Sequence, residues 1–179
     1  MVIERRGRGV TRRVTAWAFA LLLLPALLRA QDIIGIPVGE KPAAVTLENL
    51  QGDSVALSKW IGKKPVLVEF WATWCPICEA LLPRMAAAQK KYGDRAEFVV
   101  VAVAVNQSKR SVARHIEKHP MPFTILWDGN GAAVRAFQAP STSYIAVLDS
   151  SGKVVYTGVG EGQDLEAALR QAVEGGRRR

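Results

Sequence analysis

The two cysteines of this 179-residue chain stand three positions apart in Trp74-Cys75-Pro76-Ile77-Cys78, where an apolar run gives way to a helical pattern. The run Val66-Leu67-Val68-Glu69-Phe70-Trp71 reads as a buried strand, and Cys75 falls where the next helix begins. At a helix N-terminus, unpaired backbone N–H groups and the positive end of the macrodipole favour a thiolate over a thiol. Cys75 is therefore the candidate nucleophile. Pro76, at the first helical position, gives up an N–H that would be unpaired anyway and pre-sets its φ. Cys78, one turn on, can close a disulfide onto Cys75. A purely structural disulfide over so short a loop would remove little unfolded-state entropy. A zinc site would need two further ligands, and His115 and His119 lie far outside zinc-finger spacing. Redox cycling is the preferred reading of the pair, with no metal assigned to it.

The rest of the chain alternates strand and helix patterns. Val45-Thr46-Leu47 and Val55-Ala56-Leu57 flank Leu50-Gln51-Gly52-Asp53, which reads as a β-hairpin turn, and Ser58 can cap a single helical turn before Gly62. Ile77, Leu81, Leu82, Met85, Ala88 and Tyr92 repeat at helical spacing from Cys75 to about Tyr92, with Pro83 expected to kink that helix. Glu97 to Val105 suits a central parallel strand. A polar helix from Ser111 to His119, a strand Phe123–Trp127, a short helix 132–137, two strands around the turn Asp149-Ser150-Ser151-Gly152 and a final helix 164–173 complete the order. This predicts an α/β fold, a central mixed sheet with helices on both faces and an extra N-terminal β-hairpin.

Charge has to be read by segment. Residues 1–30 carry six Arg and one Glu, and Arg177 to Arg179 add three positive charges, so the net +8 leaves residues 31–176 balanced at 15 basic and 15 acidic side chains. Nucleic-acid binding has no support from a neutral domain. Arginines followed by the apolar stretch Val14 to Leu28 and by Leu28-Arg29-Ala30 have the layout of a secretory signal peptide, with an uncleaved N-terminal membrane anchor as the alternative. Residues 174–179 read as a basic disordered tail.

Phe70-Trp71-Ala72-Thr73-Trp74-Cys75-Pro76-Ile77-Cys78, together with Lys41-Pro42-Ala43, Gly62-Lys63-Lys64-Pro65-Val66 and the late hairpin Asp149 to Val154, resembles the thioredoxin superfamily and, more narrowly, its exported TlpA/ResA-like thiol-disulfide oxidoreductases. The resemblance covers nearly all of residues 37–173 and implies a thioredoxin-like domain there. It implies a periplasmic or other extracytoplasmic protein, expected to be monomeric, with no cofactor beyond the redox-active Cys75–Cys78 disulfide. Its partners would be extracytoplasmic protein disulfides or thiols, such as those of cytochrome c biogenesis, and a membrane-embedded electron donor. Glu69, six residues before Cys75, stands where thioredoxin has a buried Asp that moves protons at the resolving cysteine. A carboxyl in an apolar setting has its pKa raised and can take a proton from Cys78 near neutral pH. The alternative is a Glu facing solvent at a strand edge.

Two positions depart from the family pattern. Leu81 stands where TlpA/ResA-like chains have a Glu two residues before the helix proline, so Glu69 would have to cover that role. Counting back six residues from Asp149 to the family's cis-proline reaches Ser143. Either Pro140 is the cis-proline, or Thr142 and Ser143 form the substrate-facing edge. With Trp74 and Pro76 flanking the exposed sulfur, Pro140, Thr142 and Ser143 complete the expected contact surface for a protein partner. A competing reading is a copper-handling protein resembling the Sco type, since soft thiolates suit Cu(I), although such pairs are usually CxxxC. No Thr-x-x-Cys peroxidatic pattern is present. The His115/His119 pair reads as a solvated helix face before it reads as a metal site. Asn106-Gln107-Ser108 fits a glycosylation acceptor pattern that arises by chance.

Overall fold

Parallel pairing at the centre and antiparallel pairing at both flanks organise the computed structural model, which describes residues 34–175. The strands are β1 (Thr46–Asn49), β2 (Ser54–Ala56), β3 (Val66–Trp71), β4 (Glu97–Val103), β5 (Thr124–Asp128), β6 (Tyr144–Leu148) and β7 (Val154–Gly158), in the order β2-β1-β5-β4-β3-β6-β7. β3, β4 and β5 run parallel, while β6 joins β3 antiparallel and β1 joins β5 antiparallel. β1 and β2 pair antiparallel across Leu50–Asp53. This is the central mixed sheet of the expected α/β fold.

Every residue of β3 is buried, and all of β4 is buried except its half-buried first residue, Glu97. Near-continuous apolar strands are what a sheet covered on both faces requires. The helices are α1 (Pro76–Tyr92), α2 (Lys109–Lys118), α3 (Ala132–Ala136) and α4 (Leu165–Gly175). α1 buries Cys78, Leu81, Met85, Ala88 and Tyr92, a stripe at helical spacing, and packs against α4. It runs unbroken through Pro83. Pro83 and Glu79, whose carbonyl loses its intrahelical donor, both lie on the exposed side, where water can take the lost bond. α4 continues to Gly175, with Asp164 accepting from the Ala167 N–H at its start.

Several boundaries differ from expectation by a residue or two, and three of the differences are informative. α2 starts at Lys109 because Ser108 and Ser111 form a reciprocal capping box. β4 ends at Val103, beyond which the chain leaves the ladder and the Val103 carbonyl accepts from the Gln107 side chain. The turn expected around Ser58 is a 3-10 turn over Leu57–Lys59 without a side-chain cap. The proposed signal or anchor at residues 1–30 lies outside the described residues, as do residues 176–179 of the expected tail 174–179, whose first two residues, Glu174 and Gly175, instead complete the last turn of α4. Among the described residues no helix is long and apolar enough to cross a membrane.

Candidate active site

β3 ends at Trp71, and four residues later Cys75 forms the N-cap of α1 with Pro76 as the first helical residue. Cys75 and Cys78 are joined in a disulfide with their Cα atoms 5.3 Å apart. The Cys78 N–H donates to Cys75 Sγ at 3.1 Å, so one of the orphan donors of the helix start already points at that sulfur. A thiolate released at Cys75 would meet the same N–H and the helix dipole. Cys75 is 4% exposed and Cys78 is wholly buried, which gives an incoming thiol or disulfide access to Cys75 alone.

Apolar groups collar this sulfur. Trp74 is 46% and Ile77 45% exposed, unusual for such large side chains, and Pro76 is exposed beside them. A cavity of about 290 Å³ adjoins Trp74, lined by Phe70, Val105, Val134, Pro140 and Thr142 among others. The structure thus brings Trp74, Pro140 and Thr142 to one groove. No peptide bond is cis among the described residues, so Pro140 is not a cis-proline. Ser143 occupies the position just before β6, in a left-handed conformation at φ 62°. It does not reach the surface. Its N–H donates to the Phe70 carbonyl at 2.8 Å, its hydroxyl accepts from the Gly160 N–H at 3.2 Å and its carbonyl accepts from Gln163 Nε2 at 3.1 Å. The expected Thr142-Ser143 edge therefore divides: Thr142 faces the groove, and Ser143, with its polar groups satisfied inside, anchors it.

Glu69 is fully buried in β3, so the strand-edge alternative does not hold. Neither carboxyl oxygen has a hydrogen-bond partner, and burial pushes its pKa up to about 8. Leu81, where the resemblance leads one to expect a Glu, is fully buried on α1. His115 and His119 have their rings 4.8 Å apart, and the His115 ring lies 5.4 Å from that of Trp71. Burial, then the neighbouring His119, hold the His115 pKa below its ordinary value. No group of three or more His, Cys, Asp or Glu gathers as a metal site among the described residues.

Two glutamines that sequence reasoning did not single out brace the site. Gln107 bonds Thr73, two residues before Cys75, across 34 positions of chain. Gln163, 5% exposed, donates to the Ser143 and Gly160 carbonyls. Neither lies in a motif, and no periodicity links either one to its partner. The one trace of Gln107 in the sequence was its place inside a chance glycosylation pattern.

A family model described as Redoxin matches residues 37–172. Among curated proteins, "Thioredoxin-like protein YneN" of Bacillus subtilis is 30% identical over 76% of this chain and 81% of its own length. "Thiol-disulfide oxidoreductase ResA" of Geobacillus kaustophilus is 29% identical over 75% of this chain and 77% of its own length. Among solved structures, a putative thiol:disulfide interchange protein DsbE from Chlorobium tepidum has a TM-score of 0.67 at 26% identity, covering 79% of this chain and 98% of that one.

Proposed function

Because the chain belongs to the Redoxin family, as a TlpA/ResA-like thiol-disulfide oxidoreductase of thioredoxin type, we propose that it is exported and reduces disulfides of extracytoplasmic proteins through Cys75 and Cys78. The observation that carries this reading is the Cys75–Cys78 disulfide at the cap of α1, one sulfur reachable through an apolar collar and the other sealed beneath it.

In the reduced protein the Cys75 thiolate attacks a sulfur of the client disulfide, forming a mixed disulfide and releasing one client thiolate. Cys78 then loses its proton to Glu69 and attacks Cys75 Sγ, which forms the Cys75–Cys78 bond and releases the second client thiolate. The client gains two electrons and this protein loses two. A membrane-embedded reductase restores the dithiol. Glu69 suits its part because a carboxyl titrating at about 8 is matched to a thiol, whereas an ordinary carboxylate would be too weak a base. Trp74, Pro76, Pro140 and Thr142 hold the client's apolar residues beside the reacting sulfurs, and Ser143 sets the course of that loop.

The deciding experiment measures the reduction potential of the Cys75–Cys78 couple together with turnover of a model protein disulfide. Couples of this fold span roughly −270 to −120 mV, and a value at the reducing end with turnover supports reduction. A value at the oxidising end would make the protein a disulfide donor. Tight binding of one Cu(I) by the reduced protein without turnover would overturn the reading in favour of copper handling. Replacing both cysteines by serine should abolish activity, and a fully active double variant would end the proposal.

A further inference from the structure

The two residues that lead into Cys75 are both tied to the segment that leaves β4. Gln107 Oε1 accepts from the Thr73 N–H at 3.0 Å and from the Thr73 hydroxyl at 2.9 Å, while its Nε2 donates to the Val103 carbonyl at 2.6 Å. One residue on, Trp74 Nε1 donates to the Val105 carbonyl at 2.7 Å. Asn106 between them takes a left-handed turn at φ 53°, a conformation Asn tolerates better than most residues. The arrangement is specific: one half-buried amide uses its oxygen twice on Thr73 and its nitrogen on the end of the central strand. The Cys75 N–H closes the same turn by donating to the Ala72 carbonyl at 3.1 Å. The path of Thr73 and Trp74 therefore decides where Cys75 Sγ sits relative to the first N–H groups of α1.

We propose that Gln107 is a positioning residue for the redox pair: by holding Thr73 it keeps Cys75 Sγ at the helix start once the disulfide has opened. In the oxidised protein the disulfide itself fixes that sulfur. In the dithiol state only the backbone path does, and there the Gln107–Thr73 bonds matter most. Loosening them lets the Cys75 side chain swing away from the helix N–H groups, and the thiolate loses its stabilisation. The inference rests on the functional reading above only in taking Cys75 as the reacting sulfur.

The test follows the pH dependence of alkylation of Cys75 in the reduced full chain, with the modified residue located by peptide mass. Gln107→Ala should move the midpoint upward and slow alkylation at pH 7 about tenfold, the scale of two hydrogen bonds of modest net strength. The isosteric Thr73→Val, which removes only the hydroxyl, should move it in the same direction by less. The double variant should go no further than Gln107→Ala alone, because both act through one contact. A Gln107→Ala profile that overlays the parent's would overturn the proposal, even if thermal stability fell, since that is what a merely structural glutamine gives. Effects of the two substitutions that simply add would overturn it as well. Should Gln107→Ala fail to fold, Thr73→Val decides alone: an unmoved midpoint defeats the proposal and a raised one supports it. Alkylation needs no client, so a parent that reduces no protein disulfide would defeat the functional reading and leave this result standing.

Discussion

Glu69 and Gln163 are both long polar side chains sealed inside the molecule, yet one makes no hydrogen bond and the other makes several. Glu69 is fully buried in the central strand with both oxygens unpartnered. Gln163 is 5% exposed; it donates to the carbonyls of Ser143 and Gly160 and lies 3.3 Å from the Tyr156 hydroxyl. Burial of a bonded amide stiffens a loop, because each group it holds would otherwise be stranded. Burial of an unbonded carboxyl instead shifts its protonation and stores a cost that is released when the proton stays on. In the proposed mechanism Glu69 exchanges a proton, whereas the bonds of Gln163 keep its loop still.

The sharpest break of that contrast is Glu69→Gln, which resembles the protonated carboxyl in shape and in lacking partners. The folded-state pKa of Glu69, about 8, lies above the ordinary 4.5, so the native state binds the proton more tightly than the unfolded chain. Below about 4.5 both states are protonated, and parent and variant should be equally stable. As pH rises from there to about 8 the parent loses stability that the variant keeps, at about 1.4 kcal/mol per pKa unit of separation. Chemical denaturation at pH 8.5 should find Glu69→Gln more stable by several kcal/mol. The same variant should resolve mixed disulfides more slowly, with the pH-rate step near 8 lost. A parent whose stability is flat between pH 5 and 8 would mean that Glu69 titrates normally.

Gln163→Ala should act in the opposite sense. It leaves the buried Ser143 carbonyl and the half-buried Gly160 carbonyl without this donor, and unfolding should show a loss of about 1–3 kcal/mol without a pH dependence of its own. Ser143 would also lose the support for its left-handed backbone, so client affinity should weaken along with stability. A loss much below 1 kcal/mol would place water in the vacated space.

The contrast also marks what a single chain of letters reveals. The succession of strands and helices along the chain, the redox helix and the burial of Glu69 follow from patterns a few residues long: β3 is an unbroken apolar run apart from Glu69, and Leu81, Met85 and Ala88 recur at helical spacing. Gln107 and Gln163 left no such mark. Their meaning comes from contacts with Thr73 and Ser143, 34 and 20 residues away, and those contacts exist only once β4 and β6 have been laid beside β3. The Pro140 loop is illegible in the sequence for the same reason. A proline can be located by counting, but its isomer and the side on which Ser143 is bonded depend on the neighbouring strand and on the turn after β7.

At the rim the same comparison predicts smaller effects on stability and visible ones on binding. Trp74 is nearly half exposed and has one hydrogen bond, to the Val105 carbonyl. Trp74→Ala should change unfolding by about 1 kcal/mol at most, yet raise KM for a protein disulfide by roughly tenfold, because aromatic anchors carry a large share of docking energy. Trp74→Phe, which keeps the apolar face and drops the N–H, should recover most of that loss. Equal KM values for all three proteins would remove Trp74 from the client-binding surface.

The smallest effect belongs to a second carboxylate setting, and it isolates burial as the cause of the largest. Glu48 on β1 pairs with Lys109 at the start of α2, with side chains 50% and 34% exposed. Water solvates both charges here, and salt screens them, so the pair is worth about 0–1 kcal/mol. Glu48→Gln is the same chemical change as Glu69→Gln, made where the carboxylate is wet and partnered instead of dry and alone. It should shift the unfolding midpoint slightly downward at low ionic strength and not at all in 1 M salt, with no pH region in which the variant gains stability. A gain at pH 8.5 approaching that of Glu69→Gln would mean that removing any negative charge stabilises this protein, and the stored cost assigned to Glu69 would then belong to the net charge and not to its burial.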